Sequence, residues 1–295
     1  MSMDTQKPSL TRRMFGIACV ALATSFIALQ LSNSAIAAET SAPPKGASPT
    51  IDKIRELGEL RAGIAISAPW LLQDPKSGEY VGVSIEIGKQ IAKAVGVPLK
   101  IVPSNWDVFI AGLQAGQFDI ALAPAYATPK RLAVVDFVNY TSAGVCYAVL
   151  KSNAKINGLS DLDSSEVTIG TLAGTGAEQG IKAAHPNAKL DSVVGGPGVI
   201  MRIPDLLAGR VDVANFDSPM AIVVAHDFPQ LKIIPGGPET CIKQPDVSFD
   251  TGVSLRKGDP EYNKLIEAVV KSMKDSGEID TLIKKYSAVE YMRSQ

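Results

Sequence analysis

From Thr50 onward the chain switches repeatedly between two hydrophobic periods. Ile51, Ile54 and Leu57 recur at helical spacing, with Thr50 as the expected cap and Gly58 as the stop. Leu60 to Ile66 is then nearly continuous in apolar residues, as a strand buried on both faces is. Asp74-Pro75-Lys76-Ser77-Gly78 reads as a tight turn. Ile87, Ile91 and Val95 mark a helix capped at Ser84 and stopped by Gly96, and Pro98 to Pro103 is a second strand. Asp107 to Ala115 is a helix and Phe118 to Ala123 a strand. This order, βαβαβ, predicts a doubly wound α/β sheet with right-handed crossovers.

After Tyr140 the pattern predicts that the chain leaves this first lobe. Val145 to Leu150 is a strand, Ser152 to Gly158 a polar link, and a second α/β set follows. Its strands are expected at Thr168 to Leu172, Leu190 to Val194, Val211 to Asn215 and Leu231 to Ile234. Its helices are expected at Ala177 to Ala184, Val199 to Ala208 and Met220 to Ala225. Thr251 to Leu255 reads as a strand returning to the first lobe, and helices from Pro260 to about Ser276 and from Ile279 to Tyr286 close the chain. The expected lobes are residues 50–143 with 250–295, and residues 144–249, joined by two hinge crossings; no repeat of solenoid length is present.

The first 37 residues read differently: Lys7, Arg12 and Arg13 precede an apolar run, Phe15 to Leu31, and Ala35-Ile36-Ala37 fits a small-residue cleavage site. An export signal cleaved near Ala37 and a periplasmic protein are expected. Thr11-Arg12-Arg13-Met14-Phe15 fits a twin-arginine signal, and an ordinary secretory signal with two arginines fits as well. Gly16 to Cys19 is a poor lipoprotein box because few apolar residues precede Cys19. Residues 38–49, rich in Ala, Ser and Pro, read as a disordered leader.

Without residues 1–37, which hold three Lys/Arg and one Asp, the formal charge moves from −1 to −3. That balance argues against nucleic acid, whose phosphates call for clustered basic residues. Two cysteines survive cleavage, Cys146 and Cys241, in a compartment that permits disulfides, and the sequence leaves their pairing undecided. With no CxxC and only His185 and His226, no metal site is implied; His185, before Pro186, reads as a solvated loop residue. No cofactor is implied, and a monomer is the expected state.

The candidate chemistry lies in Trp106 to Arg131. Ligands of doubly wound sheets sit outside the carboxyl ends of strands, and this stretch carries an aromatic at one end and an arginine at the other. A cleft for a small amino acid or similar carboxylate is expected there. Several short motifs recur in one order along the chain: Leu60-Arg61-Ala62-Gly63, Gly82-Val83-Ser84-Ile85-Glu86, Trp106-Asp107 and Leu113-Gln114-Ala115-Gly116-Gln117-Phe118-Asp119. They continue in Thr128-Pro129-Lys130-Arg131, Val135-Asp136-Phe137, Gly209-Arg210-Val211-Asp212 and Arg256-Lys257-Gly258-Asp259-Pro260. On these motifs the chain resembles the periplasmic amino-acid-binding proteins of ABC importers, extracellular solute-binding family 3, over about Ile51 to Tyr286.

The resemblance implies a two-lobed periplasmic-binding-protein (Venus flytrap) fold, a ligand held between the lobes and delivery to an ABC permease. It implies Arg131 as the carboxylate clamp, Thr175 as a second anion contact, Asp217 as the ammonium acceptor, and Trp106 and Trp70 as aromatic walls. Each residue has a plainer reading: a surface arginine, a capping box in Thr175-Gly176-Ala177-Glu178, a turn aspartate, and core tryptophans. The chain departs from the family at Ala123-Pro124-Ala125-Tyr126, where Pro124 removes a backbone donor and Tyr126 brings bulk and a hydroxyl into the site. The acidic residue expected after the first strand is missing, which disfavours basic amino acids as ligands. The alternative function is a periplasmic cyclohexadienyl dehydratase-like enzyme on the same fold, for which Glu178 is the nearby acid; a binding protein without chemistry is the preferred reading.

Overall fold

The computed structural model describes residues 41–195 and 199–294. The export signal, its twin-arginine and cleavage motifs and the first residues of the expected leader lie outside the described residues. The rest of that leader is held against the body. Ala42 donates its amide to the Ala94 carbonyl, Arg55 donates to the Pro43 carbonyl, and Ser48 is buried. Ser48, and not Thr50, caps the first helix, α1 (Pro49–Leu57), accepting from the Ile51 amide and donating to Asp259. Pro49 moves the start forward, since its fixed φ and missing N–H suit the first helical position.

The first half continues with β1 (Leu60–Ile64), a hairpin of β2 (Leu72–Gln73) and β3 (Tyr80–Val81), α2 (Val83–Val95), β4 (Leu99–Pro103), α3 (Phe109–Gln114), β5 (Ile120–Tyr126) and α4 (Pro129–Leu132). Gly82, not Ser84, opens α2. Its φ is +127°, and a Cβ there would lie 2.3 Å from the Trp70 carbonyl oxygen. Ser84 instead lies inside the helix, with its hydroxyl 3.2 Å from that of Tyr140.

β6 (Val135–Leu150) leads into β7 (Thr168–Leu172), α5 (Gly176–Ala184), β8 (Lys189–Val193), α6 (Ile203–Leu207), β9 (Val213–Asp217), α7 (Ala221–Asp227), β10 (Leu231–Ile234) and α8 (Pro238–Lys243). A 3₁₀ turn, Val199–Arg202, takes the place of the first half of the helix expected before Gly209. β11 (Val247–Arg256) returns, followed by α9 (Pro260–Asp275), α10 (Glu278–Tyr286) and α11 (Val289–Ser294).

The strands form a sheet in the order β4-β1-β5-β11-β6-β9-β7-β8, with β10 also on β6. At each end three strands run parallel (β4-β1-β5 and β9-β7-β8), and between them β6 and β11 pair antiparallel from Val247↔Val145 to Arg256↔Val135. The sequence pattern breaks β6 after Tyr140, yet β6 is one strand of 16 residues. Thr141 and Ser142 are polar because the strand is partly exposed there, where it passes from the first parallel set to the second. The first residues of β11 are likewise half-exposed, which hid them from the apolar pattern. Side-chain alternation sorts the interior into two clusters on opposite faces of the sheet. Ile120, Leu122, Val145 and Tyr147 belong to one cluster; Ala121, Ala123, Cys146 and Ala148 belong to the other.

Two corrections concern the second half. Helix α8, absent from the sequence reading, carries Cys241, which forms a disulfide with Cys146 on β6 across a Cα separation of 6.0 Å. His185 is not a solvated loop residue. It ends α5 at 5% exposure, with Nε2 2.8 Å from an Asp246 carboxylate oxygen that also accepts from the Tyr147 hydroxyl at 2.7 Å. Burial pushes the Asp246 acid upward, but the hydrogen bonds from His185 and Tyr147 outweigh it and hold the group below its usual range.

An acid with a lowered folded pKa stabilises above its unfolded value, near 3.9, and loses that contribution as pH falls through the folded value. Asp246→Asn should therefore lower stability at neutral pH by roughly 1–2 kcal/mol and flatten the acid limb of a urea-midpoint-versus-pH curve. Parallel acid limbs for the two proteins would mean that Asp246 carries none of it.

Candidate functional site

The carboxyl ends of β1, β5, β7 and β9 face one another beside the β6–β11 crossing, and the side chains they deliver enclose one small cavity. Ser67 follows β1, Trp106 precedes α3, Tyr126 ends β5, and Arg131 sits in α4 behind its Thr128-Pro129 start. From the second half come Leu172 at the end of β7, Thr175 to Ala177 at the start of α5, and Asp217. Asp217 is the last residue of β9 rather than a turn residue beyond it. Five of the six expected site residues, Arg131, Asp217, Trp106, Thr175 and Tyr126, thus line one space. Trp70 does not line it: it is 1% exposed in the core, edge-on to Tyr140.

Arg131 is 5% exposed. Its guanidinium donates to the Tyr126 carbonyl at 3.1 Å and to the Gly174 carbonyl at 2.9 Å, and lies 5.0 Å from the Phe109 ring centre and 6.0 Å from that of Trp106. Burial lowers its pKa to about 10, so the group remains a cation at neutral pH. Its two hydrogen-bond partners are neutral carbonyls, which leaves its charge available to an anion. Trp106 is fixed from behind, donating Nε1–H to the Ile66 carbonyl at 3.0 Å and meeting Phe109 edge-on.

Asp217 is 8% exposed, accepting from the Tyr126 hydroxyl at 2.6 Å and from the Ser67 hydroxyl at 3.2 Å. Burial pushes its pKa up against the opposing effect of those bonds and of the nearby Trp70 N–H. Tyr126 is raised well above its usual range by burial first and by the Asp217 charge second. Its ring stacks on Phe249 at 5.0 Å. Ser67 was not among the expected site residues; its place just past the end of the first strand is the signal that could have found it.

Thr175 is engaged in its own helix start, accepting from the Glu178 amide and donating to the Leu172 carbonyl. Glu178 completes the capping arrangement by accepting from the Gly174 amide, and it also accepts from the Ser192 hydroxyl. Gly174 and Gly176 have little room: a Cβ on Gly174 would lie 2.8 Å from the Asp107 Cα, and one on Gly176 2.7 Å from the Tyr126 Cβ. The loop of the second half is therefore pressed directly onto the backbone and side chains of the first. Pro124 sits in β5 at a shift of register with β11, between the Gly252↔Ala125 and Ser254↔Ala121 pairs. Its missing N–H falls where the ladder is already interrupted.

The cavity leaves about 20 Å³ open to the centre of a water molecule, room for roughly one water. Anything larger enters only when the walls part. A buried cation from one parallel strand set and a buried carboxylate from the other, meeting beside two crossing strands, define a two-lobed solute-binding protein.

Residues 60–289 match the bacterial extracellular solute-binding proteins, family 3, and the chain belongs to that family. It is 25% identical over 238 residues to an L-cystine-binding protein of Escherichia coli, covering 80% of this chain and 85% of the relative. To an ABC transporter glutamine-binding protein of Bacillus subtilis it is 29% identical over 221 residues, covering 73% and 76%. Among solved structures it is similar to an ancestral amino acid-binding protein, a precursor of cyclohexadienyl dehydratase, at TM-score 0.70 and 32% identity, over 81% of this chain and 100% of that one. It is also similar to an amino acid ABC transporter substrate-binding protein from Streptococcus pneumoniae bound to L-arginine, at TM-score 0.69 and 26% identity, over 81% and 97%.

Proposed function

We propose that this protein captures a small amino acid or related carboxylate between its two halves and presents it to an ABC permease, with no chemistry of its own. The observation that carries this reading is the meeting of Arg131 with Asp217 in one cavity from opposite halves of the sheet. A ligand can stabilise the closed arrangement only through contacts in both halves. In this reading residues 50–143 with 250–295 form one lobe and residues 144–249 the other, and the protein works as an exported periplasmic monomer cleaved near Ala37. The dehydratase alternative would need a free acid in the cleft, whereas both Glu178 oxygens accept hydrogen bonds from the cap and from Ser192.

A thermal-shift screen against free amino acids and small carboxylates tests the reading. At a hundredfold excess over its dissociation constant a true ligand adds about 2.7 kcal/mol to folded-state stability, and the midpoint rises with concentration. A flat response across the whole screen, or turnover of prephenate or arogenate, would sink the proposal.

A further inference from the structure

The bond between Tyr126 and Asp217 bears on which carboxylate the site takes. In an amino-acid site an ammonium group answers the buried aspartate. Here each oxygen of the aspartate already accepts a hydroxyl hydrogen bond from within the chain. Oδ1 takes the Tyr126 hydroxyl at 2.6 Å and Oδ2 takes the Ser67 hydroxyl at 3.2 Å. Among the described residues the other hydrogen-bond partner of that phenol is the Gly144 carbonyl, at a long 3.5 Å, so a phenol displaced from Asp217 has no good second partner there.

Tyr126 also has no room to move aside. It is 4% exposed, its ring is stacked on Phe249, and its Cβ and ring edge lie against Gly176, where even a methyl group would not fit. Phe249 and Gly176 therefore hold the ring in the position that keeps its hydroxyl on the aspartate. An incoming ammonium would have to share Asp217 with a phenol that cannot leave, beside Arg131 as a second cation.

We infer that the site selects small carboxylates that carry a 2-oxo or 2-hydroxy group in place of the α-ammonium, and that Tyr126 is the residue that sets this preference. The inference rests on the reading of Arg131 as the carboxylate clamp and deepens it. A monocarboxylate neutralises Arg131 and brings no second charge. A 2-oxo oxygen calls for donors, and the first-turn amides of Gly176 and Ala177, which a helix start leaves without internal partners, line the same cavity. Leu172, Ala177 and Trp106 complete the wall with apolar surface, which suits a short uncharged tail.

The test is calorimetry on the purified protein with two matched triplets that differ only at the second carbon: pyruvate, L-lactate and L-alanine; 2-oxoisovalerate, 2-hydroxyisovalerate and L-valine. In the wild type the oxo or hydroxy member should bind at least about tenfold tighter than the amine of its triplet, since a site pairs its buried polar groups with one partner and rejects another. Tyr126→Phe keeps the ring and its stacking and frees Asp217. It should raise amine affinity by about tenfold or more and reverse the order within the triplet.

Asp217→Asn is the second variant. Added to Tyr126→Phe, it should remove the amine affinity gained there, because that gain uses the charge of the carboxylate. Amines binding the wild type more tightly than their partners, with all binding lost in Arg131→Ala, would overturn this inference and leave the cleft assignment standing. No binding by any of the six compounds, or binding indifferent to Arg131→Ala, would overturn both.

Discussion

Arg131→Ala is expected to weaken binding of whichever carboxylate raises the melting midpoint by about a hundredfold or more, equivalent to about 2.7 kcal/mol. The guanidinium is buried, still charged at neutral pH, and paired with carbonyl oxygens rather than with an acid. A ligand carboxylate can exchange those neutral partners for a bidentate charged pair, whose strength comes from the fork geometry as well as from the charge. Arg131→Lys keeps the charge and loses the fork, so it should fall between wild type and alanine. The alanine variant also releases the Tyr126 and Gly174 carbonyls, so circular dichroism and a melting curve are needed to show that the fold persists. Affinity within about threefold of wild type would remove Arg131 from the site.

The second large effect concerns stability. Cys146→Ala with Cys241→Ala should lower the folding free energy by roughly 4 kcal/mol, the scale expected when a cross-link over a long stretch of chain is removed. In this chain the bridge spans a sequence separation of 95 residues. For a protein of this size that is a fall in melting midpoint on the order of 10 °C. Ligand affinity should change little, because neither cysteine lines the cavity. The bridge ties β6 to α8 within the second half of the chain. A midpoint shift of under about 2 °C would show that packing alone already holds α8 in place.

The sequence patterns that proved reliable were those whose cause is local. Thr168–Leu172 and Leu231–Ile234 are short stretches rich in β-branched and leucine side chains, and were placed to the residue. Gly58 and Gly96 end their helices in the left-handed conformation, as their positions predicted. What the pattern hid depends on distant partners. β6 looked broken because Thr141 and Ser142 cross a partly exposed stretch of a strand that pairing with β11 holds continuous. His185 looked solvated because Asp246 and Tyr147, which bury it, lie 61 and 38 positions away in the chain.

The site was legible to the same degree. Trp106 and Arg131 could be placed in a cleft from strand order, and Thr175 and Asp217 from resemblance. Tyr126 was noticed as added bulk, but its bond to Asp217 joins residues 91 positions apart, and no spacing signals it. Trp70, chosen as a wall, became core: Tyr140 packs edge-on to its ring, and the start of α2 closes on its backbone, with Gly82 against its carbonyl and the Ser84 amide donating to it.

Both sulfur-bearing residues of the bridge are 0% exposed. An oxidant arriving at the finished molecule would reach neither of them. Cross-linking therefore has to take place while α8 is still undocked from β6, so the oxidising environment must be met during maturation rather than after it. Chain made where thiols stay reduced would complete its packing around two unpaired sulfurs and keep them that way until the region opened again.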